Sequence, residues 1–212
     1  MTPIDGPKVT AALITVANVI ETNKDYLCAL DSDVGDGDHG VSMTIGMRTA
    51  RKALQALQNP TPETAFRTVA EAFADEVGAA SGALYEGAFE AAARAAAGKA
   101  TLDTSADWAT IYEAMAREMQ NVGKAELGDK TLLDAWLPAA NALREAAEAG
   151  ASLSEGLSRA TAAALAGVES TKHLIPKRGR ASRLGERARG YQDAGATSAW
   201  LIIKTIEESL NS

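Results

Sequence analysis

Apolar residues recur at three- and four-residue spacing along almost the whole chain, and that period confines it to packed helices. Val9, Leu13, Val16 and Ile20 form one stripe. Met43, Met47, Ala50, Leu54 and Leu57 form a second, and Phe66, Val69, Ala70, Phe73 and Val77 a third. Alanine-rich patterns at 83–97 and 153–168, with further patterns at 108–122, 132–143 and 196–210, bring the expectation to about eight helices and almost no strand. Thr61-Pro62-Glu-Thr, Asp103-Thr-Ser105 and Gly150-Ala-Ser152 supply helix starts and short connections, so sequential helices are expected as antiparallel neighbours. The predicted fold is all-α, a helical bundle or barrel with its Met and Trp side chains in the core. At 212 residues and 46% hydrophobic content, residues 1–212 suit one domain with a sizeable core and leave no length for an additional substrate domain.

The segment Asp31-Ser-Asp-Val-Gly-Asp36-Gly-Asp38-His39-Gly40 is harder to explain by folding alone. Asp31, Asp36 and Asp38 repel one another if they converge without a counter-ion, and the nearest basic residues in sequence are Lys24 and Arg48. Gly35 and Gly37 free the backbone so that Asp36 and Asp38 can point the same way while Asp31 folds back towards them. A bound cation relieves the repulsion, and all-oxygen ligation favours magnesium or calcium. An EF-hand fails on register: counted from Asp31, Asp36 stands where the glycine belongs and Ser42 where the bidentate glutamate belongs. Magnesium completes its shell with water and substrate phosphate, which raises the question of where a phosphate binds.

Gly78-Ala-Ala-Ser81-Gly82 is a small-residue turn between two helical patterns, with Ser81 placed to cap the second, and a helix start of this kind binds anions. Residues 177–189 carry Lys177, Arg178, Arg180, Arg183, Arg187 and Arg189 against the single acid Glu186, with interspersed glycines and no apolar stripe. That pattern reads as a long functional loop. Residues 172–193 have a net charge of +5 in a chain of total −7, so the remainder carries −12. A positive island on an acidic protein, without aromatic residues among its arginines, suits a small phosphorylated ligand and excludes nucleic acid as the favoured partner. Gly123-Lys-Ala-Glu-Leu-Gly128-Asp129-Lys130-Thr131 imitates a Walker A loop, but Asp129 intrudes before the lysine and the preceding pattern is helical, whereas a P-loop follows a strand. His39 suits a phosphate donor, with support of a metal ligand or direct metal ligation as alternatives; His173 has no partner motif and is expected at the surface. Cys28 is alone, no apolar leader follows Met1, and no apolar run approaches the roughly 18 residues of a membrane span, so a cytoplasmic location is expected.

Together these segments resemble the ADP-binding L subunits of dihydroxyacetone kinases, the DhaL family. The resemblance rests on Gly35-Asp-Gly-Asp-His-Gly40, Gly78-Ala-Ala-Ser-Gly82, and Gly123 to Thr131 with Asp134-Ala-Trp-Leu-Pro138. Gly179-Arg-Ala-Ser-Arg-Leu-Gly-Glu-Arg187 and Gln192-Asp-Ala-Gly-Ala-Thr-Ser198 complete it. It implies an eight-helix antiparallel up-and-down barrel with the nucleotide at one end. It implies two magnesium ions on Asp31, Asp36 and Asp38, and ADP or ATP phosphates bordered by His39, Gly40, Val41, Ser42, Ala80 and Ser81. Gly123, Thr131 and Leu132 would line the nucleotide pocket, and Arg180, Asp193 and Gly195 would close over it. Ser42, Leu132 and Ala194 stand where the family commonly has asparagine, methionine and proline; the alanine leaves the loop freer to open. By the same resemblance, dihydroxyacetone sits on a separate K subunit, and either a phosphotransferase-system protein rephosphorylates bound ADP or free ATP exchanges with it. Alternatives are a kinase for another ketose such as a tetrulose, and a non-catalytic ADP sensor acting on a transcription regulator. A fatty-acid kinase relative is disfavoured because His39 stands where that group has threonine. The acceptor and the oligomeric state, a homodimer included, stay open.

Overall fold

The computed structural model describes residues 3–212. Its α-helices are α1 (Gly6–Thr22), α2 (Lys24–Ser32), α3 (His39–Ala56), α4 (Pro62–Glu76), α5 (Ala80–Ala96), α6 (Ser105–Gly123), α7 (Leu133–Glu148), α8 (Leu153–Ser170) and α9 (Ala194–Leu210). Two 3-10 segments, Thr171–His173 and Arg180–Ala188, lie between α8 and α9. Among the described residues there is no strand, only an isolated bridge between Asp5 and Thr101. No helix among them is long and apolar enough to cross a membrane.

Three of the expected helix starts have their chemistry in place. Thr61 and Thr104 form capping boxes with Thr64 and Asp107, Pro62 occupies the first turn of α4, and the Ser152 side chain accepts from the Glu155 N–H. Every ring member packs on the next in the order α1, α3, α4, α5, α6, α7, α8, α9, and α9 returns to α1. The ring therefore has eight members, as expected. The ninth helix, α2, stands outside it against α3 and carries Asp31 at its end, where the sequence reading had only a loop.

Inside the ring the aromatic side chains stack in series. Phe66 meets Trp108, Trp108 meets Tyr112 and Tyr112 meets Trp136 edge to face, at centroid separations of 6.2, 6.2 and 5.3 Å. Met43, Met47, Trp108 and Trp136 are fully buried, as expected of core residues. At the far end, the Ile4 N–H donates to Asp103 Oδ1 (2.7 Å) and the Leu102 N–H to the Ile4 carbonyl (2.9 Å), which fastens the start of the chain to the α5–α6 connection.

Alanine and glycine let the helices come close. Pro138 lies inside α7 and has no N–H to offer the Asp134 carbonyl one turn back. Gly167 of α8 packs against that same carbonyl: a Cβ on residue 167 would sit 1.9 Å from its oxygen. Gly167→Ala should therefore destabilise the fold by about 1–3 kcal/mol through forced separation of α7 and α8. Urea titration would show the loss as a lower midpoint, and an unchanged midpoint would mean that α7 and α8 do not approach this closely.

Candidate functional site

Up-and-down winding brings the N-termini of alternate helices to one end. A cavity of about 330 Å³ there is lined by His39, Ala80 and Ser81, Leu133, and Ala194 and Gly195, which begin α3, α5, α7 and α9. Four helix starts, whose first N–H groups lack intrahelical partners, and four positive dipole ends thus face one space, an arrangement suited to a polyanion.

Three carboxylates stand at its rim. Asp31, Asp36 and Asp38 each offer an oxygen within 4.8 Å of the others. Asp31 Oδ2 also accepts from the Asp38 and His39 N–H groups, at 3.0 and 3.3 Å, so it caps α3 in place of Asp38, whose own side chain makes no capping bond. Gly35 is required by contact, since a Cβ there would lie 2.2 Å from Asp31 Oδ1; Gly37 is required by its φ of 75°. The Arg180 guanidinium pairs with Asp36, and with Asp38 at 3.4 Å. The counter-charge missing from the local sequence thus arrives from the basic segment. Oxygen donors alone, two of them exposed, suit a magnesium ion that keeps water and phosphate in its shell.

His39 is the first residue of α3, and its Nε2 lies 2.9 Å from Ser198 Oγ on α9. Burial pushes its pKa down, with the Asp31 charge acting in opposition. Gly40, Val41 and Ser42 follow in the first turn but do not line the cavity. Gly40 presses on α2, where a Cβ would lie 2.1 Å from the Lys24 carbonyl, and Val41 is exposed. Ser81 lines the cavity without capping α5: the cap position is Ala79, because Gly82 packs on the Val77 carbonyl and draws the helix start back.

On the opposite wall, Gly123 ends α6, and Thr131 and Leu132 precede α7. The buried Asp134 carboxylate accepts from the Gly128 N–H (2.6 Å) and the Thr131 N–H (2.8 Å), while Thr131 Oγ1 accepts from the Leu133 N–H (3.2 Å). Among the lining residues that the sequence reading left out of the site are Met119, Arg178 and Lys130. Of these only Arg178 carried a usable signal, its place in the basic island. Ala194 is the first residue of α9, a position compatible with proline's fixed φ. His173 is exposed, as expected.

Asp193 caps α9, its Oδ2 accepting from the Ala196 N–H at 2.7 Å. Burial pushes its carboxyl up to about 7; the Ala196 bond opposes the rise and the Asp134 charge adds to it. The neutral form is favoured in the fold, so the stability it contributes is complete below the ordinary value of 3.8 and is lost as pH rises through about 7. Asp193→Asn keeps an acceptor for Ala196 and cannot ionise. The magnesium-free variant should therefore lose less stability than the parent between about pH 5 and about pH 8 in denaturant titrations, and equal losses would place the titration elsewhere.

Residues 33–208 match the DAK2 domain family. The chain is 40% identical over 194 residues to the ADP-binding subunit DhaL of PEP-dependent dihydroxyacetone kinase 2 from Listeria innocua, covering 91% of this chain and 89% of that one. It is 38% identical over 189 residues to the ADP-binding subunit DhaL of a PTS-dependent dihydroxyacetone kinase from Lactococcus lactis, covering 89% and 90%. The dihydroxyacetone kinase of C. freundii, solved with AMP-PNP and Mg2+, superposes with a TM-score of 0.72 at 27% identity. That alignment spans 99% of this chain and 35% of that one, so a single part of the longer enzyme has this fold. With its eight-helix ring, its three rim aspartates and these likenesses, the chain belongs to the DAK2 domain family, among the DhaL-type subunits of dihydroxyacetone kinases.

Proposed function

We propose that this chain is the nucleotide-holding subunit of a dihydroxyacetone kinase, presenting ADP or ATP at the open end of the ring for phosphoryl transfer to dihydroxyacetone on a separate K subunit. One observation carries the reading: three carboxylates and an arginine share the rim of a cavity walled by four helix N-termini. Asp31, Asp36 and Asp38 would hold magnesium, two ions in the full reading, which when bound neutralises phosphate oxygens. The chain's own groups do the rest. N–H groups at the uncapped start of α5 receive phosphate, Ser81 offers a hydroxyl, and Thr131 and Leu132 form a wall for the nucleoside. Arg180 stabilises charge on the phosphoryl group in transit.

The acceptor belongs elsewhere. His39, the histidine on the cavity, is bonded to Ser198. A phosphotransferase-system donor that recharges bound ADP is favoured by the likeness to the PEP- and PTS-dependent subunits.

Asp36→Ala should abolish magnesium-dependent ADP binding in calorimetry while leaving the helical circular dichroism signal intact, since residue 36 lies in an exposed turn. Unchanged affinity would sink the metal cluster. Arg180→Ala should weaken ADP binding by roughly tenfold or more, the scale of one charge-assisted hydrogen bond, and by more than Arg183→Ala or Arg189→Ala. The purified chain with ATP, magnesium and dihydroxyacetone should show no turnover until a K subunit is added. Steady phosphorylation by the chain alone would overturn the division of labour.

A further inference from the structure

Asp129 and Lys130 stand side by side ahead of α7, yet the side chains of both reach the basic segment at 174–191. Lys130 is 2% exposed. Its ammonium donates to the carbonyls of Ala188 and Tyr191, each at 2.7 Å, and more weakly to that of Leu174 at 3.4 Å. Three donors meet three acceptors, so none is left for a phosphate. Asp129, 4% exposed, accepts from the Lys177 ammonium at 3.0 Å and the Arg178 guanidinium at 3.5 Å, and its carbonyl accepts from the Lys177 N–H at 3.0 Å. Burial works against the Asp129 charge, but the Glu126 N–H and these two cations hold its carboxyl below the usual range.

The two residues grip the segment on either side of its tip. Asp129 holds residues 177 and 178, Lys130 holds 188 and 191, and Arg180 lies between the two grips. Gly179, Gly185 and Gly190 adopt left-handed φ values of 65°, 54° and 95°, which leaves the tip free to bend relative to its anchors. Lys130 itself has a φ of 59°, a conformation unfavourable for a non-glycine residue and sustained here by the three carbonyl bonds. The next two residues, Thr131 and Leu132, line the cavity. Burial also pushes the Lys130 pKa down, a cost that an uncharged wall residue would avoid.

We propose that Asp129 and Lys130 are positioning residues: a clamp that sets the closed position of the segment bearing Arg180 and ties it to the nucleotide wall at Thr131 and Leu132. The clamp rests on the nucleotide reading given above for its effect on ADP, but not for its effect on the segment. It assigns the lysine of the Walker-like sequence to lid control.

Two measurements test it. Trypsin acting on the nucleotide-free protein reads the clamp alone: Lys130→Met and Asp129→Asn should each speed cleavage within 177–189 by roughly tenfold, with the near-ultraviolet dichroism of buried Trp108 and Trp136 unchanged. Stopped-flow release of ADP, with magnesium, reads the coupling. Lys130→Met should accelerate release roughly tenfold in the parent but less than about twofold in an Arg180→Ala background, because both substitutions remove the same closed lid. Equal acceleration with and without Arg180, or unchanged tryptic cleavage, would overturn the clamp. Should Lys130→Met fail to fold, Asp129→Asn carries the same cycle, since its partners Lys177 and Arg178 are largely exposed. A parent protein that binds no ADP would refute the nucleotide reading and leave the cleavage experiment to judge the clamp.

Discussion

Four helix N-termini held against one another are the constraint on which the rest of this structure depends. Each presents N–H groups without intrahelical partners and a positive dipole end, and alternate winding of an eight-membered ring gathers them at one end. Such an end is unstable without negative charge. The chain supplies it locally in part, with Asp31 over α3 and Asp134 in the first turn of α7. The start of α5, with Ala79 at its cap and small residues around it, has no side-chain cap, which leaves that terminus open to an outside anion.

Asp31 shows how one side chain joins folding to chemistry. One oxygen caps α3, and the other lies where a Cβ on residue 35 would push it aside, so glycine there keeps the carboxylate in place. The carboxylate is therefore fixed before any ion arrives, whereas Asp36 and Asp38 stand exposed on the turn. A pinned donor beside two exposed ones suits an ion whose remaining ligands come from a nucleotide that enters and leaves.

The ring was legible in the sequence because each member buries one full face, which imposes the helical period. The α2 helix was not, because only Leu27 among its nine residues is buried and so no stripe marks it. The aspartate segment was legible because close like charges need an explanation wherever they occur. Its counter-charge was not: Arg180 lies 142 residues from Asp38, and nothing local announces the pairing. Lys130 was set aside along with the Walker resemblance, and its partners are backbone carbonyls 44, 58 and 61 residues away, which leave no trace in side-chain identity. Ser81 was misread as a cap because residue type favoured it, whereas the close approach of Gly82 to the Val77 carbonyl fixed the helix start two residues earlier.

Charge is divided so that the basic segment and the acidic rim attract each other before any ligand is present. Arg180 pairs with Asp36 and Asp38, two of the three carboxylates that a divalent ion would take. On the proposed reading a metal ion held by those aspartates would compete with the guanidinium and free it for the phosphates it is to stabilise. The displaced arginine stays near because its segment is gripped at 177–178 and 188–191 by Asp129 and Lys130. Lid position and metal occupancy then become one equilibrium, with the aspartates as the shared element. A basic segment without anchors would leave the rim as readily as it reached it, and salt would screen what attraction remained.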